Sequence, residues 1–547
     1  MKKILVFTFL FSLFFASLPD IIGISFLNSI KAQQITPKPM TCGLSTQDAD
    51  IIYNEMIALR ERFPVLAPMR AVAYVPVWFH LAATTEGTGR VPMNKVLDML
   101  CEWNRLYSVN GVELQFYIKG INNINNTGLY SGPRSFAGEN AIRTNKKTDG
   151  INVFLVDNAN DPAQPTATVL GYYLNTRSSV SYDADWFIII NSQASIGGAV
   201  TIAHEAGHFF SVSHPFYGWE TCPFVPMSSN NYKAPATVSC FGSGFYTVEN
   251  AARTGTDANC STAGDGFCDT PPNYNLGFGY NGTNPCVYVG LASDPKGVKI
   301  DPDETNIMDY FIGCESTFSP MQKTAMQNDY LNSSYRAYLR NGNVAPTVTS
   351  LAAPTLSAPI SGTTTTYYNA FSLSWTAVQN ATGYVVELSK TPTFFDSRIF
   401  VATTNSISIN ATNVPGYLTA SGQNYYWRIK PYNNYVSCSS FTTRQNFTSG
   451  NLLSATKEIS GISNFEVSPN PLSKTQSLQL NLTSETAFDA QVKLYNVTGQ
   501  LMQTGKRHFE IGFSSQNISV SNLTNGLYIL TVESEKGVIN KKVVIRD

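Results

Sequence analysis

The chain has 547 residues, too many for one hydrophobic core, so length alone predicts several domains. Lys and Arg number 37 against 38 Asp and Glu, a formal net charge of −1, which excludes the basic footprint that nucleic-acid binding requires. Charged residues are only 14%, against roughly 25% in average usage, while aromatics reach 12%; this excludes a disordered chain and favours a β-rich globular one.

Lys2 and Lys3 precede an apolar run from Ile4 to Leu18, and a second run follows from Ile21 to Ile30. The first is shorter than the ~20 residues that span a bilayer, so residues 1–32 read as a signal peptide, with cleavage near Ala16 and after Ala32 both fitting. The mature protein is predicted to be exported and to have no integral membrane span. Nine Cys suit an oxidising compartment, and their odd number leaves at least one thiol unpaired.

Residues 33–70 form a polar segment holding one cysteine, Cys42. From residue 71 strands and helices mix. Val75–Leu81 and Val112–Ile118 are predicted strands, and between them a helix from about Met93 carries the stripe Met93, Val96, Leu100, Trp103 and Tyr107. Ile151–Val156 and Trp186–Ile190 are continuous apolar runs, as in strands buried on both faces. Residues 215–300 are rich in Gly, Pro, Asn and Cys and show little periodicity. A helix follows Phe318, with Ser319 as its cap, Pro320 at its first position and Gln322 completing a capping box.

Residues 345–366 read as a linker. Beyond it Phe371, Leu373 and Trp375 alternate with small polar residues, as Tyr425, Trp427 and Ile429 do, predicting a β-sandwich over 352–449. Its pattern is similar to a fibronectin type III module. A final β segment, 464–547, has Leu478, Leu480 and Leu482 alternating and hairpin signals at Thr498-Gly499 and Asn525-Gly526.

Three of the five His fall in one stretch, His204-Glu205-Ala206-Gly207-His208 and His214. Four residues on a helix rotate by ~400°, so His204 and His208 leave the same face about 6 Å apart and can bind one Zn²⁺. Glu205 is placed to reach a water in the site without becoming a ligand. His214 cannot share that face, so the chain must leave the helix near residue 211 and turn back. Three His ligands leave a fourth position open, the arrangement of a catalytic rather than a structural zinc.

The stretch resembles HExxHxxGxxH, the zinc signature of the metzincin metallopeptidases, with Ser211 where that family has Gly. A left-handed turn there costs a non-Gly residue about 1 kcal/mol. Asn306-Ile307-Met308-Asp309-Tyr310, followed by Cys314, resembles the Met-turn segment of the pappalysin-like (cytophagalysin) branch, as Gly264 to Pro271 resembles the stretch ahead of it. The resemblance covers about residues 71–340. It implies an α/β catalytic domain over 71–342, a mixed twisted sheet plus an active-site helix, followed by the two all-β sandwich domains. It further implies Met308 beneath one zinc ion per chain, the Tyr310 hydroxyl near the developing oxyanion, calcium held by Asp265, Asp269 and Thr270, and a disulfide between Cys286 and Cys314. In related pro-segments a Cys-Gly pair fills the open zinc position, which implies that Cys42-Gly43, in a pro-segment over 33–70, keeps the enzyme latent.

The last segment resembles the type A sorting domain of type IX secretion, on Ser468-Pro469-Asn470-Pro471, Leu494 to Gln500, Asn525-Gly526-Leu527-Tyr528 and Lys542 to Ile545. It implies the type IX machinery as a partner and a secreted or surface location. The function expected from sequence is a zinc endopeptidase, with Glu205 as general base, acting on protein or peptide substrates. A surface adhesin with an inactive metzincin domain, or a processing protease dedicated to one partner, is the alternative.

Overall fold

Residues 40–64, 69, 71–160, 168–175, 184–225, 232–240, 244–341, 345–452, 459, 461–534 and 537–546 are described by a computed structural model. The expected signal peptide lies outside the described residues, as do residues 33–39, 65–68 and 70 of the expected pro-segment.

Continuous apolar runs set the middle of the first sheet. β4 (Ile151–Val156) and β6 (Trp186–Ile190) are buried along their whole lengths, since helices or loops cover both faces. With β1 (Met40–Cys42), β2 (Ala73–Ala83), β3 (Leu114–Asn125) and β5 (Thr168–Leu174) they form a six-stranded sheet in the order β1-β5-β6-β4-β2-β3. β2, β3, β4 and β6 are mutually parallel; β5 runs antiparallel to β6, and β1 lies parallel to β5 at the edge. β3 starts two residues later than its apolar run and extends to Asn125. Its polar end is held in strand form by pairing with β2 up to Ala83, an influence that local hydrophobicity does not carry.

α1 (Thr46–Arg62) lies in the segment read as merely polar. Its buried face is Ala49, Ile52, Met56 and Leu59, a helical stripe diluted by charged neighbours. α2 (Met93–Val109) buries all five residues of its expected stripe. Short helices α3 (Thr127–Ser131) and α4 (Phe136–Asn145) follow β3. α5 (Ala199–Phe209) is buried on almost every side, and α6 (Pro320–Asn332) opens with the expected capping box on Ser319 and Gln322.

Two further pairs of antiparallel-rich sheets follow. In the first, a three-stranded sheet faces a five-stranded one around Leu373, Trp375, Tyr425, Trp427 and Ile429. In the second, three- and four-stranded sheets enclose Leu478, Leu480, Leu482 and Leu530. Thr498-Gly499 joins the paired strands Phe488–Asn496 and Leu501–Phe509. The hairpin expected at Asn525-Gly526 does not form. That dipeptide instead carries the chain from Gly512–Ser519 in one sheet to Gly526–Ser534 in the other, because the two flanking strands pair with different partners.

The first sandwich is fastened to α2 and β3. Cys438 of the sandwich bonds to Cys101 of α2, 337 residues away. The Lys430 ammonium sits 2.7 Å from the Asp98 carboxylate, Ile118 N–H donates to the Asn434 carbonyl at 2.8 Å, and Tyr117 stacks on Tyr435. Helix and sandwich thus share one covalent tie and one ion pair, and β3 adds a hydrogen bond and a ring stack.

In the sheet, His80 of β2 is fully buried, with Nε2 3.1 Å from the Asn152 Oδ1 and Nδ1 accepting from the Asn122 amide at 3.2 Å. Burial pushes its pKa down from 6.5 to about 4, so the folded state holds it neutral. Its contribution is complete above pH 6.5 and is lost as pH falls towards 4, amounting to about 3 kcal/mol at most. Denaturant titrations at pH 7 and pH 4 should show a smaller acid loss in His80→Asn than in the unmodified chain.

Candidate active site

The site is built on α5. It follows β6 through a short 3₁₀ turn, Asn191–Gln193, and inserts Ile202, Ala203, Ala206 and Phe209 into the core. His204 and His208 share the opposite face, as the four-residue spacing requires. The helix ends at Phe210, and Ser211 takes a left-handed conformation, φ 62°, which reverses the chain and returns His214 to the other two imidazoles. The three Nε2 atoms lie 3.1–3.2 Å from one another, and all three side chains are buried. Among the described residues this is the group of His, Cys, Asp and Glu whose ligand atoms converge closely enough to hold a metal ion.

The donor chemistry fits a zinc ion. His204 Nδ1 lies 2.7 Å from the Ile307 carbonyl and His208 Nδ1 2.8 Å from the Val212 carbonyl. A carbonyl only accepts, so both Nδ1 atoms carry protons and both Nε2 atoms present lone pairs. Burial reinforces this by pushing the pKa of His204 down to about 4 and those of His208 and His214 well below the ordinary value. Lone pairs facing one another at this spacing repel unless a cation or a proton lies between them. A tetrahedral ion with ligands at ~2.0–2.1 Å would hold its nitrogens about 3.3 Å apart, close to the spacing observed.

Beneath the triad lies the loop after Asn306. Met308 is fully buried against α5, and a Cβ on Gly207 would collide with its sulfur. A glycine inside a helix normally costs about 1 kcal/mol against alanine; here it lets Met308 approach the helix backbone. Sequence reading passed over Gly207, although a helix-interior glycine next to two candidate ligands is itself a signal of close approach. The Tyr310 ring packs on His214 and Phe216, with centroids 5.0 and 4.7 Å away. His204, Glu205 and Tyr310 line a cavity of about 310 Å³, which Glu102 and Arg105 of α2 and Glu315 help to wall.

A buried ionic knot holds the turn at Ser211. The Ser211 hydroxyl donates to Asp329 Oδ2 at 2.5 Å, and Arg336 bonds Asp329 through Nε at 3.2 Å. Arg336 also reaches Asp185 and donates to the Phe209 carbonyl at the end of α5. The side chain that replaces the usual glycine is therefore used: it ties the left-handed turn to α6.

Four disulfides, Cys101–Cys438, Cys222–Cys240, Cys260–Cys268 and Cys286–Cys314, take eight of the nine cysteines and leave Cys42 outside these bridges. Cys286–Cys314 is the pair implied by resemblance; it fastens the loop-rich region to the segment after Met308. Cys42 lies at the end of β1, paired with Gly171 of β5, whose neighbour Leu170 lines the cavity. Asp265 and Thr270 are brought into contact, with Thr270 Oγ1 3.0 Å from both carboxylate oxygens. Asp269 is directed elsewhere: it accepts from the Ser319 hydroxyl at 2.8 Å and the Met321 N–H at 2.7 Å, at the start of α6. Burial and the neighbouring Glu249 carboxylate push the Asp265 carboxyl well above its ordinary range. Sequence reading also missed Glu220, whose carboxyl approaches His214 and is pushed up to about 8 by burial.

Residues 466–546 match the family model described as a secretion system C-terminal sorting domain. The segment is a type IX sorting domain. The protein is accordingly exported, to the cell surface or beyond it. No helix among the described residues is long and apolar enough to cross a membrane. The chain is similar to an extracellular metalloprotease of Sordaria macrospora, 25% identical over 321 residues that cover 55% of this chain and 91% of the relative. An extracellular metalloprotease of Neurospora crassa is 24% identical over 254 residues, 43% of this chain and 78% of that protein. Among solved structures, a promirolysin mutant from Tannerella forsythia matches 56% of this chain and all of its own, with 14% identity and a TM-score of 0.35.

Ser211→Gly would relieve about 1 kcal/mol of left-handed strain but remove a hydrogen bond to a charged group, which contributes about 1.5–3 kcal/mol. The variant should therefore be less stable by about 1 kcal/mol, read as a lower denaturation midpoint. Gly207→Ala should cost more, through its collision with Met308, and should lower metal affinity along with the midpoint.

Proposed function

We propose that the chain is a secreted zinc endopeptidase of the pappalysin-like metzincin type, made as a latent zymogen. The observation that carries this reading is the convergence of three buried imidazole nitrogens, 3.1–3.2 Å apart, beside a cavity lined by Glu205. The proposed organisation is a signal peptide over 1–32, a pro-segment over 33–70, a catalytic domain over 71–342, a fibronectin type III-like sandwich over 352–449 and the sorting domain over 464–547.

His204, His208 and His214 would hold the zinc, which when bound supplies a Lewis acid that polarises a carbonyl and acidifies water. The remaining work falls to the chain's own side chains. The Glu205 carboxylate takes a proton from the attacking water and returns it to the departing amine. The Tyr310 hydroxyl donates to the oxyanion as the carbonyl carbon becomes tetrahedral. The cavity beside Glu205 receives a substrate side chain.

Latency rests on Cys42. Its strand pairs along β5 at the rim of the cleft, and the other eight cysteines are committed to disulfides. α1 then straps the segment down, with Tyr53 stacked on Tyr217 and Arg60 donating to the Gly266 carbonyl at 2.6 Å. Removal of residues 33–70 would uncover the cleft. A calcium ion at Asp265 and Thr270 belongs to the same reading, since a hard cation would offset the cost of burying that carboxylate.

Purified chain should hold one zinc by elemental analysis and, after removal of the pro-segment, degrade casein in a chelator-sensitive way. Glu205→Ala should keep the zinc while turnover falls by about 10²–10⁴-fold. Full turnover in that variant would overturn the mechanism, and a zinc-free wild type would favour the adhesin.

A further inference from the structure

We propose that Glu220 is a positioning residue for the metal site: its carboxyl oxygen Oε1 accepts the Nδ1–H of His214 and holds that imidazole with its Nε2 lone pair turned into the triad. The inference rests on the zinc reading above and deepens it.

The three histidines are held unequally. His204 and His208 each have a backbone carbonyl on Nδ1, from Ile307 and Val212. His214 has none. Its Nδ1 is buried without a hydrogen-bond partner, and the acceptor facing it, Glu220 Oε1, is likewise buried and unpartnered. The two atoms are 3.8 Å apart, with their side chains 0% and 3% exposed. Closing the gap to hydrogen-bond distance takes about 1 Å. A ligating imidazole nearly always donates its second nitrogen to such an acceptor, which fixes its tautomer and raises its basicity.

The loop presents Glu220 in a fixed place. Its other oxygen, Oε2, accepts from the Gly218 N–H at 2.9 Å, and Gly218 has φ 92°, a conformation suited to glycine. The Asn275 amide donates to the Trp219 carbonyl at 3.0 Å, and Cys222, two residues on, is bridged to Cys240. The side chain of a third histidine that comes from a turn, rather than from α5, thus gains an anchor that the helix does not provide. The Phe216 ring stacked on His214 holds the plane of the imidazole but offers it no acceptor.

Glu220 also has a purely structural role open to it, as a cap on Gly218 N–H. Glu220→Gln separates the two, because the amide oxygen can keep the cap while its NH₂ cannot accept from His214. Zinc affinity of the full chain, measured by competition with a chromophoric chelator, should fall about 10–100-fold in Glu220→Gln while the melting midpoint of the metal-free protein holds. The visible spectrum of the Co²⁺-loaded protein should shift in parallel. Equal zinc affinity and an unchanged Co²⁺ spectrum would overturn the proposal. Failure of the wild type itself to bind zinc would instead remove the reading beneath it. If the variant does not fold, a structure of the zinc-loaded wild type decides: Nδ1 and Oε1 within about 3.2 Å support the contact, and a separation still near 3.8 Å overturns it.

Discussion

Three imidazole nitrogens brought within 3.1–3.2 Å of one another, on buried side chains, constrain everything around them. Such an arrangement is unfavourable until a cation occupies it, so the polypeptide must hold it open at the expense of its own stability. Neutral histidines are the first requirement, and burial supplies it. Fixed tautomers are the second, supplied by the carbonyls of Ile307 and Val212. The third is a sharp reversal of the chain just past α5, since no single helix can carry all three ligands.

That reversal explains why so much of the surrounding core is polar. Ser211 occupies a left-handed conformation that most side chains avoid, and a buried network of Asp329, Arg336 and Asp185 closes around it. A buried ion pair is seldom a net source of stability against a well-packed apolar alternative. Here the network joins the last carbonyl of α5, the turn and α6, so its value is geometric. The Met308 loop does the same from below, where Gly207 admits the sulfur and the Ile307 carbonyl orients His204.

The first sandwich is bound into this frame. Asp98, Cys101 and Glu102 lie within little more than one turn of one helix: the first two hold the sandwich, and Glu102 walls the cavity beside Glu205. A bridge that spans 337 residues of sequence restricts the unfolded chain strongly, which favours the folded arrangement. The helix that shapes one side of the cleft is thereby braced from behind, and the module is no free arm on a linker.

Local pattern was enough to locate α2, β4, β6, the cap of α6 and the three histidines with Glu205, because periodicity, capping chemistry and ligand spacing act over a few residues. It did not reveal α1, whose stripe is diluted by charge, or the polar end of β3, which forms only against β2. Nor could it pair Cys101 with Cys438, separate Asp269 from Asp265 and Thr270, or point to Glu220 as the neighbour of His214. These depend on segments far apart in the chain being packed together, and packing is decided by the whole core. The sequence by itself therefore determined which atoms were available for the chemistry. Only the tertiary structure decided which of them meet, because the turn at Ser211, the loop under α5 and the brace behind α2 are stabilised by contacts no local pattern contains.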